Sequence, residues 1–184
     1  MKSLLILGAG HLGEITKEIA EAINSYDRIE FLDDSNHAAI GGLEDYMSLT
    51  DQYSDAVIAI NNLNIRMDYY SRLKQAGFNI PALIHPTAFI APSAHIAEGT
   101  IIEPMAFIHT GTAVGRCCII CECAVISHHS YIDDFCFIAS HATVIQNTYM
   151  RKKTHTVAGQ LYFAEPSKRP SSPSDVDFSF DSGM

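Results

Sequence analysis

Apolar residues return at every sixth position through the second half of the chain. From Ile84 the series runs Ile90, Ile96, Ile102, Ile108, Val114, Ile120, Ile126, Ile132, Ile138, Val144 and Met150, with no polar interruption. Four places after each stands a small residue: Ala88, Ala94, Thr100, Ala106, Thr112, Cys118, Ala124, Ser130, Cys136, Ala142, Thr148 and Thr154. Neither helical periodicity nor strand alternation gives a period of six. A hexapeptide β-helix does: one aliphatic side chain per short strand points inward, and a small residue lets the chain turn the corner. Three hexapeptides close a coil, so side chains eighteen apart, such as Thr100, Cys118, Cys136 and Thr154, are expected to stack in columns. The pattern fills Ile84 to about Thr154 and weakens at Met150. Some four coils at about 4.8 Å each make a prism about 19 Å tall.

The first half has a different rhythm. Residues 3–8 read as a buried strand, followed by Gly8-Ala9-Gly10-His11-Leu12-Gly13 and a helix with Ile15, Ile19, Ala20 and Ile23 at helical spacing. Further strands are expected over 28–34 and 55–61, with a helix over 65–77 between the last strand and the lead-out at 79–83. This alternation predicts a small parallel sheet of Rossmann-like α/β type. The chain therefore divides into an α/β unit over 1–82, a coil over 83–169, and a Ser-, Pro- and Asp-rich tail over 170–184 with little to bury.

Composition narrows the chemistry. A net charge of −9 argues against nucleic acid or an acidic membrane surface as the main partner. Leu4 to Leu7 is too short for a signal peptide or a membrane span, which predicts a cytoplasmic protein. Five cysteines, an odd number, suggest free thiols. Cys118 and Cys136 sit in the small-residue column, while Cys117, Cys121 and Cys123 lack the paired spacing of zinc sites, so no metal is expected.

Two places carry candidate chemistry. Gly8, Gly10 and Gly13 fit G-x-G-x-x-G between a strand and a helix, where backbone N–H groups can meet a phosphate. Asp33, about twenty positions on, is placed for a ribose hydroxyl. Some eighty residues supply only half of a dinucleotide fold, so a mononucleotide is the better fit and a nicotinamide oxidoreductase is disfavoured. In the coil, His128 and His129 follow Ile126 at a corner, where an exposed imidazole can take a proton near neutral pH. Two solvated histidines at a turn would look the same in sequence.

The glycine loop, Phe31-Leu32-Asp33-Asp34, Ala59-Ile60-Asn61-Asn62 with Arg66, and Leu83-Ile84-His85-Pro86-Thr87-Ala88 together resemble the hexapeptide-repeat sugar acetyltransferases. That family includes sialic acid O-acetyltransferases and the N-acetyltransferases of UDP-amino sugars of bacillosamine type. The resemblance implies a left-handed β-helix, a homotrimer, acetyl-CoA as co-substrate, and a UDP- or CMP-sugar as substrate. It casts His128, with His129 beside it, as the catalytic base. Gly8, Gly10, His11, Gly13, Asp33, Asp34 and Arg66 would bind the nucleotide sugar. Phe137, His141, Gln146, Arg151 and Lys152 would meet coenzyme A. The chain departs from the family pattern where His129 replaces the usual acid after the histidine, where Leu12 replaces a loop histidine, and where distal coils are missing. The alternative is therefore a catalytically impaired relative that binds nucleotide sugar and uses a truncated β-helix for oligomerisation.

Overall fold

The computed structural model describes residues 2–164. The predicted tail over 170–184 and the end of the coil unit, residues 165–169, lie outside the described residues.

Strand β1 (Ser3–Leu7), helix α1 (His11–Ile23), strand β2 (Arg28–Leu32), a 3-10 helix over Leu43–Ser48, strand β3 (Asp55–Ile58) and helix α2 (Leu63–Gln75) come first. The strands form a three-stranded parallel sheet in the order β2-β1-β3. All five residues of β1 are buried, the mark of a central strand covered on both faces. Helix α2 begins two residues before the apolar rhythm suggested. The Asn62 side chain accepts hydrogen bonds from the N–H groups of Asn64 and Ile65 and so fixes the first turn. The strands are shorter than expected because Asp33 and Asn61 already belong to loops at the carboxyl edge of the sheet. The sequence carried no signal that separated the 3-10 helix from its loop.

From Leu83 onward the chain winds as two-residue strands that pair in parallel with the strand eighteen residues away. Leu83–Ile84, Ile101–Ile102, Ile119–Ile120 and Phe137–Ile138 build the first face. Phe89–Ile90, Phe107–Ile108, Val125–Ile126, Thr143–Val144 and Leu161–Tyr162 build the second. His95–Ile96, Ala113–Val114, Tyr131–Ile132 and Tyr149–Met150 build the third. The second residue of each pair points inward, and from Ile102 to Met150 every inward side chain is fully buried. Each such side chain contributes roughly 1.5–3 kcal/mol of burial.

The coil runs further than the aliphatic series predicted. His155 bridges Phe137, and Leu161–Tyr162 adds a fifth strand to the second face. The inward register continues through Thr156, which is buried, and Tyr162, which packs on the coil core. Thr156 escapes an apolar search because it is polar, yet its hydroxyl accepts the Ala139 N–H at 2.8 Å and finishes the stack.

The small-residue columns do more than save space. The Thr100, Thr112 and Ser130 hydroxyls and the Cys118 and Cys136 thiols donate to carbonyls fifteen residues ahead, at Gly115, Ser127, Ile145, Asp133 and Arg151. Each satisfies a corner carbonyl of the next coil. The corners share another device. Every sixth residue from 99 to 159 has positive φ, and eight of these are not glycine: Met105, Cys117, Cys123, His129, Phe135, His141, Asn147 and Lys153. The N–H of each from Cys117 onward donates to a carbonyl nineteen residues earlier, as His129 does to Thr110 and Lys153 to Asp134. These bonds offset a conformational cost of about 1–2 kcal/mol per residue.

The α/β unit packs on the first face of the coil. Outward Leu83, Ile101 and Ile119 share a buried cluster with Leu4, Ile6, Leu12 and Ile19. Tyr70 and Leu73 of α2 meet Cys117 and Phe135 at the corner between the third and first faces. Glu98 there accepts from Tyr70 Oη at 2.6 Å and Lys74 Nζ at 2.9 Å.

Candidate functional site

The glycine loop joins β1 to α1 at the carboxyl edge of the sheet. A Cβ on Gly13 would lie 2.1 Å from the Gly8 carbonyl oxygen, and one on Gly8 would lie 2.6 Å from that of Ala59. The glycines therefore let strand and helix close on each other. Gly10 caps α1 without a side-chain bond, and His11 beside it is fully exposed, 3.5 Å from Glu14. A thirteen-residue helix thus presents an open amino end, the usual setting for an anionic group. Asp33 is committed to the loop itself. Its carboxylate accepts from the N–H groups of Ala9, Ser35 and Asn36, and these bonds, Ala9 first, hold it below the usual carboxylate range. Asp34 accepts from Leu43 N–H at 2.8 Å. Arg66 is buried; its Nη1 donates to the Ile60 and Asn61 carbonyls.

His128 stands exposed at the corner between the second and third faces, on the third coil. Its Nδ1 lies 3.1 Å from His129 Nδ1, so one imidazole donates and the other accepts. His109, one coil below, is an edge neighbour at 5.9 Å between ring centres, and Phe107 packs on His109 in turn. Gly111 lies beneath His129, where a Cβ would come within 2.9 Å of the imidazole. Sequence reasoning missed His109 and Gly111. The eighteen-residue column from Gly111 to His129 was the available signal. This corner is remote in topology from the glycine loop, because the α/β unit covers the first face.

The five residues expected to meet coenzyme A ring the fourth coil rather than gather at one place. Phe137 lies on the first face, His141 at the first-to-second corner, Gln146 at the second-to-third corner, and Arg151 and Lys152 at the third-to-first corner. Lys152 Nζ is 3.7 Å from Asp134, which also holds Arg116 at 2.7 Å. His141, Gln146 and Arg151 are exposed.

The cysteines separate as the coil geometry requires: Cys117, Cys118 and Cys121 join three different buried clusters. A further group at the first-to-second corner was not anticipated. Glu103, Cys121 and Glu122 bring ligand atoms within 4.8 Å of one another, a set that can hold a cation. Burial and the Glu122 carboxylate push Glu103 up to about 7. Burial also pushes Glu122 up, but hydrogen bonds from Glu103 and Ser140 and the nearby His141 carry it below its ordinary value. A raised Glu103 beside a lowered Glu122 is the pattern of two carboxyls that share one proton.

Comparison with known proteins agrees with this architecture. The family described as the PglD N-terminal domain matches residues 3–73. A UDP-N-acetylbacillosamine N-acetyltransferase of Bacillus subtilis (strain 168) is 30% identical over 111 residues, which is 55% of this chain and 51% of that protein. The chain thus spans about half the length of the curated relative it matches. The acetyltransferase domain of PglB from Neisseria gonorrhoeae FA1090, solved with acetyl coenzyme A, superposes with a TM-score of 0.77 at 28% identity over 86% of each chain. A variant of perosamine N-acetyltransferase from Caulobacter crescentus, solved with CoA and GDP-perosamine, gives 0.73 at 18% identity over 89% of this chain and 90% of that one, a likeness of fold. The resemblance read from the residues is borne out.

Proposed function

Taking the chain as a relative of these sugar acetyltransferases, we propose that it is an acetyl-CoA-dependent acetyltransferase acting on a nucleotide-activated amino sugar. The observation that carries this reading is the match over 86% of both chains to an acetyltransferase domain solved with acetyl coenzyme A. The coil is then left-handed and the working unit a homotrimer. The first unit, over 1–82, holds a UDP- or CMP-sugar by its glycine loop and the open end of α1, with Asp33 shaping the loop and Asp34, His11 and Arg66 around it. The second, over 83–169, carries the chemistry. Five free thiols suit a reducing cytoplasm, and no helix among the described residues is long and apolar enough to cross a membrane.

His128 acts as general base. In the tautomer whose Nδ1–H donates to His129 Nδ1, 3.1 Å away, Nε2 is the basic nitrogen, and this is the tautomer the reading requires. It takes the proton of the acceptor amine as nitrogen attacks the thioester carbonyl. The tetrahedral oxyanion then collapses, the carbon–sulfur bond breaks, and the departing thiolate takes the proton from the imidazolium. General base catalysis of this kind contributes roughly 10²–10⁴-fold. His129 stands where a carboxylate is usual and is the group beside His128 Nδ1. Arg151 and Lys152 share one corner of the fourth coil, while Phe137, His141 and Gln146 lie elsewhere around it, so one coenzyme A can meet the full set only from more than one copy of the chain.

His128→Ala is expected to lose at least about a hundredfold in acetyl transfer from acetyl-CoA to a UDP-amino sugar, with circular dichroism and oligomer size unchanged. Retained activity would sink the assignment. The replacement of the usual acid by His129 favours one alternative, a relative that binds nucleotide sugar without catalysis. Saturable UDP-sugar binding with no acetyl-CoA binding in calorimetry would favour it.

A further inference from the structure

A cavity of about 320 Å³ opens between the amino end of α2 and the last coils, within the usual size range of small-molecule sites. Asn61, Arg66, Phe137, Lys153, His155 and Thr156 line it, and among the described residues its lining holds no carboxylate. Arg66 decides its character. Its side chain is only 2% exposed, and its Nε finds no hydrogen-bond partner among the described residues. The two bonds that Nη1 makes go to neutral carbonyls, those of Ile60 and Asn61. A guanidinium withdrawn from water without a counter-charge is costly, and burial pulls Arg66 below its ordinary value. Nearby Cys117 does not supply the charge, because burial holds it as a neutral thiol.

Three further features favour the same kind of occupant. Lys153 brings a second cation from the third-to-first corner, and His155 adds a ring nitrogen from the fifth coil. The cavity also lies at the carboxyl edge of β3, where open α/β sheets take their ligands. The coil beyond Met150 therefore has a use as a wall of this pocket, facing the α/β unit of the same chain.

We infer that this cavity is a binding site for a phosphoryl group, with Arg66 at its base and Lys153 and His155 at its mouth. The inference stands whether or not the chain transfers acetyl groups. The phosphoryl group can come from a nucleotide sugar or from coenzyme A, and competition separates the two.

Isothermal titration of the full chain with inorganic pyrophosphate is expected to show saturable binding that weakens with salt. Lys153→Asn, which keeps a side chain tolerant of the positive φ at that position, should weaken it about tenfold, as loss of one charge-assisted contact does. His155→Gln, at an exposed position, should weaken it by several-fold. Arg66→Met should lose binding, and the two peripheral variants keep the test valid if Arg66→Met fails to fold. Displacement of pyrophosphate by UDP but not by coenzyme A assigns the group to the nucleotide. The reverse, with dephospho-coenzyme A failing, assigns it to the 3′-phosphate of the coenzyme. No saturable heat from pyrophosphate, or equal affinity in wild type and both peripheral variants, overturns the inference. Acetyl transfer is measured on the same samples: pyrophosphate binding without transfer overturns the enzymatic reading and leaves this one standing.

Discussion

Replacing Glu103 by Gln separates the shared proton of the buried carboxyl pair from everything else that titrates in this chain. Glu103 is 4% exposed, and one of its oxygens accepts the Glu122 N–H at 3.0 Å. Burial first, and the Glu122 carboxylate second, lift its value from 4.5 to about 7. Between those two pH values the folded chain keeps a proton that the unfolded chain has released. Stability from this group is therefore complete below pH 4.5 and is lost as pH rises towards 7 and beyond, on the order of 3 kcal/mol in all. Glutamine copies the protonated acid: its carbonyl still accepts from Glu122 N–H, and its amide still donates to the Glu122 carboxylate. Cys121, Ser140 and His141 face the same pair and are unchanged by the substitution. Urea unfolding at pH 5 and pH 7.5, run on both proteins, isolates the term. Wild type should lose about 2 kcal/mol more than Glu103→Gln between the two conditions, since part of the total is already gone at pH 5. Parallel losses would refute the shared proton and reopen the site as a cation site, which added zinc or manganese would then stabilise.

Two other substitutions test the corners. Gly111→Ala places a Cβ 2.9 Å from the His129 ring on a residue with φ of +65°, so it should cost at least about 1–2 kcal/mol in thermal unfolding and lower kcat by displacing His129 from His128; unchanged stability and rate would show that the column does not position the pair. Thr156→Val keeps the volume but strands the Ala139 N–H, which should cost about 1–3 kcal/mol, read from the urea midpoint; a neutral result would mean the coil is not finished by this hydroxyl.

The coil was legible because its inward column is aliphatic at every step from Ile84 to Met150, and one pattern of that length admits one geometry. It ceased to be legible where chemistry changed and geometry did not: Thr156 and Tyr162 hold the same inward register with a hydroxyl and a phenol. The glycine loop was visible from Gly8, Gly10 and Gly13, but the role of Asp33 as the staple of that loop was not, since a carboxylate that binds ribose and one that binds Ala9 N–H look alike in sequence. His128 and His129 were found from their corner. The neighbours that shape them, His109 and Gly111, needed the vertical order of the coil. Arg66 was named as a ligand residue from a resemblance, while the pocket around it depends on Lys153 and His155, some ninety residues away, and no local pattern reports such a meeting.

The run of left-handed corners has a consequence for how this chain can change. Because the backbone turns at a fixed beat and each turn from Cys117 onward is tied to the coil beneath it by a main-chain bond, an exposed side chain at such a corner carries little of the folding information. Substitution at His129, His141 or Asn147 changes the surface while the winding persists. A single inserted residue acts differently: it shifts all later inward positions out of phase, and only insertion of whole sixes restores the beat. Point changes at corners are thus the cheap route to new chemistry on this scaffold, and length changes come in quanta.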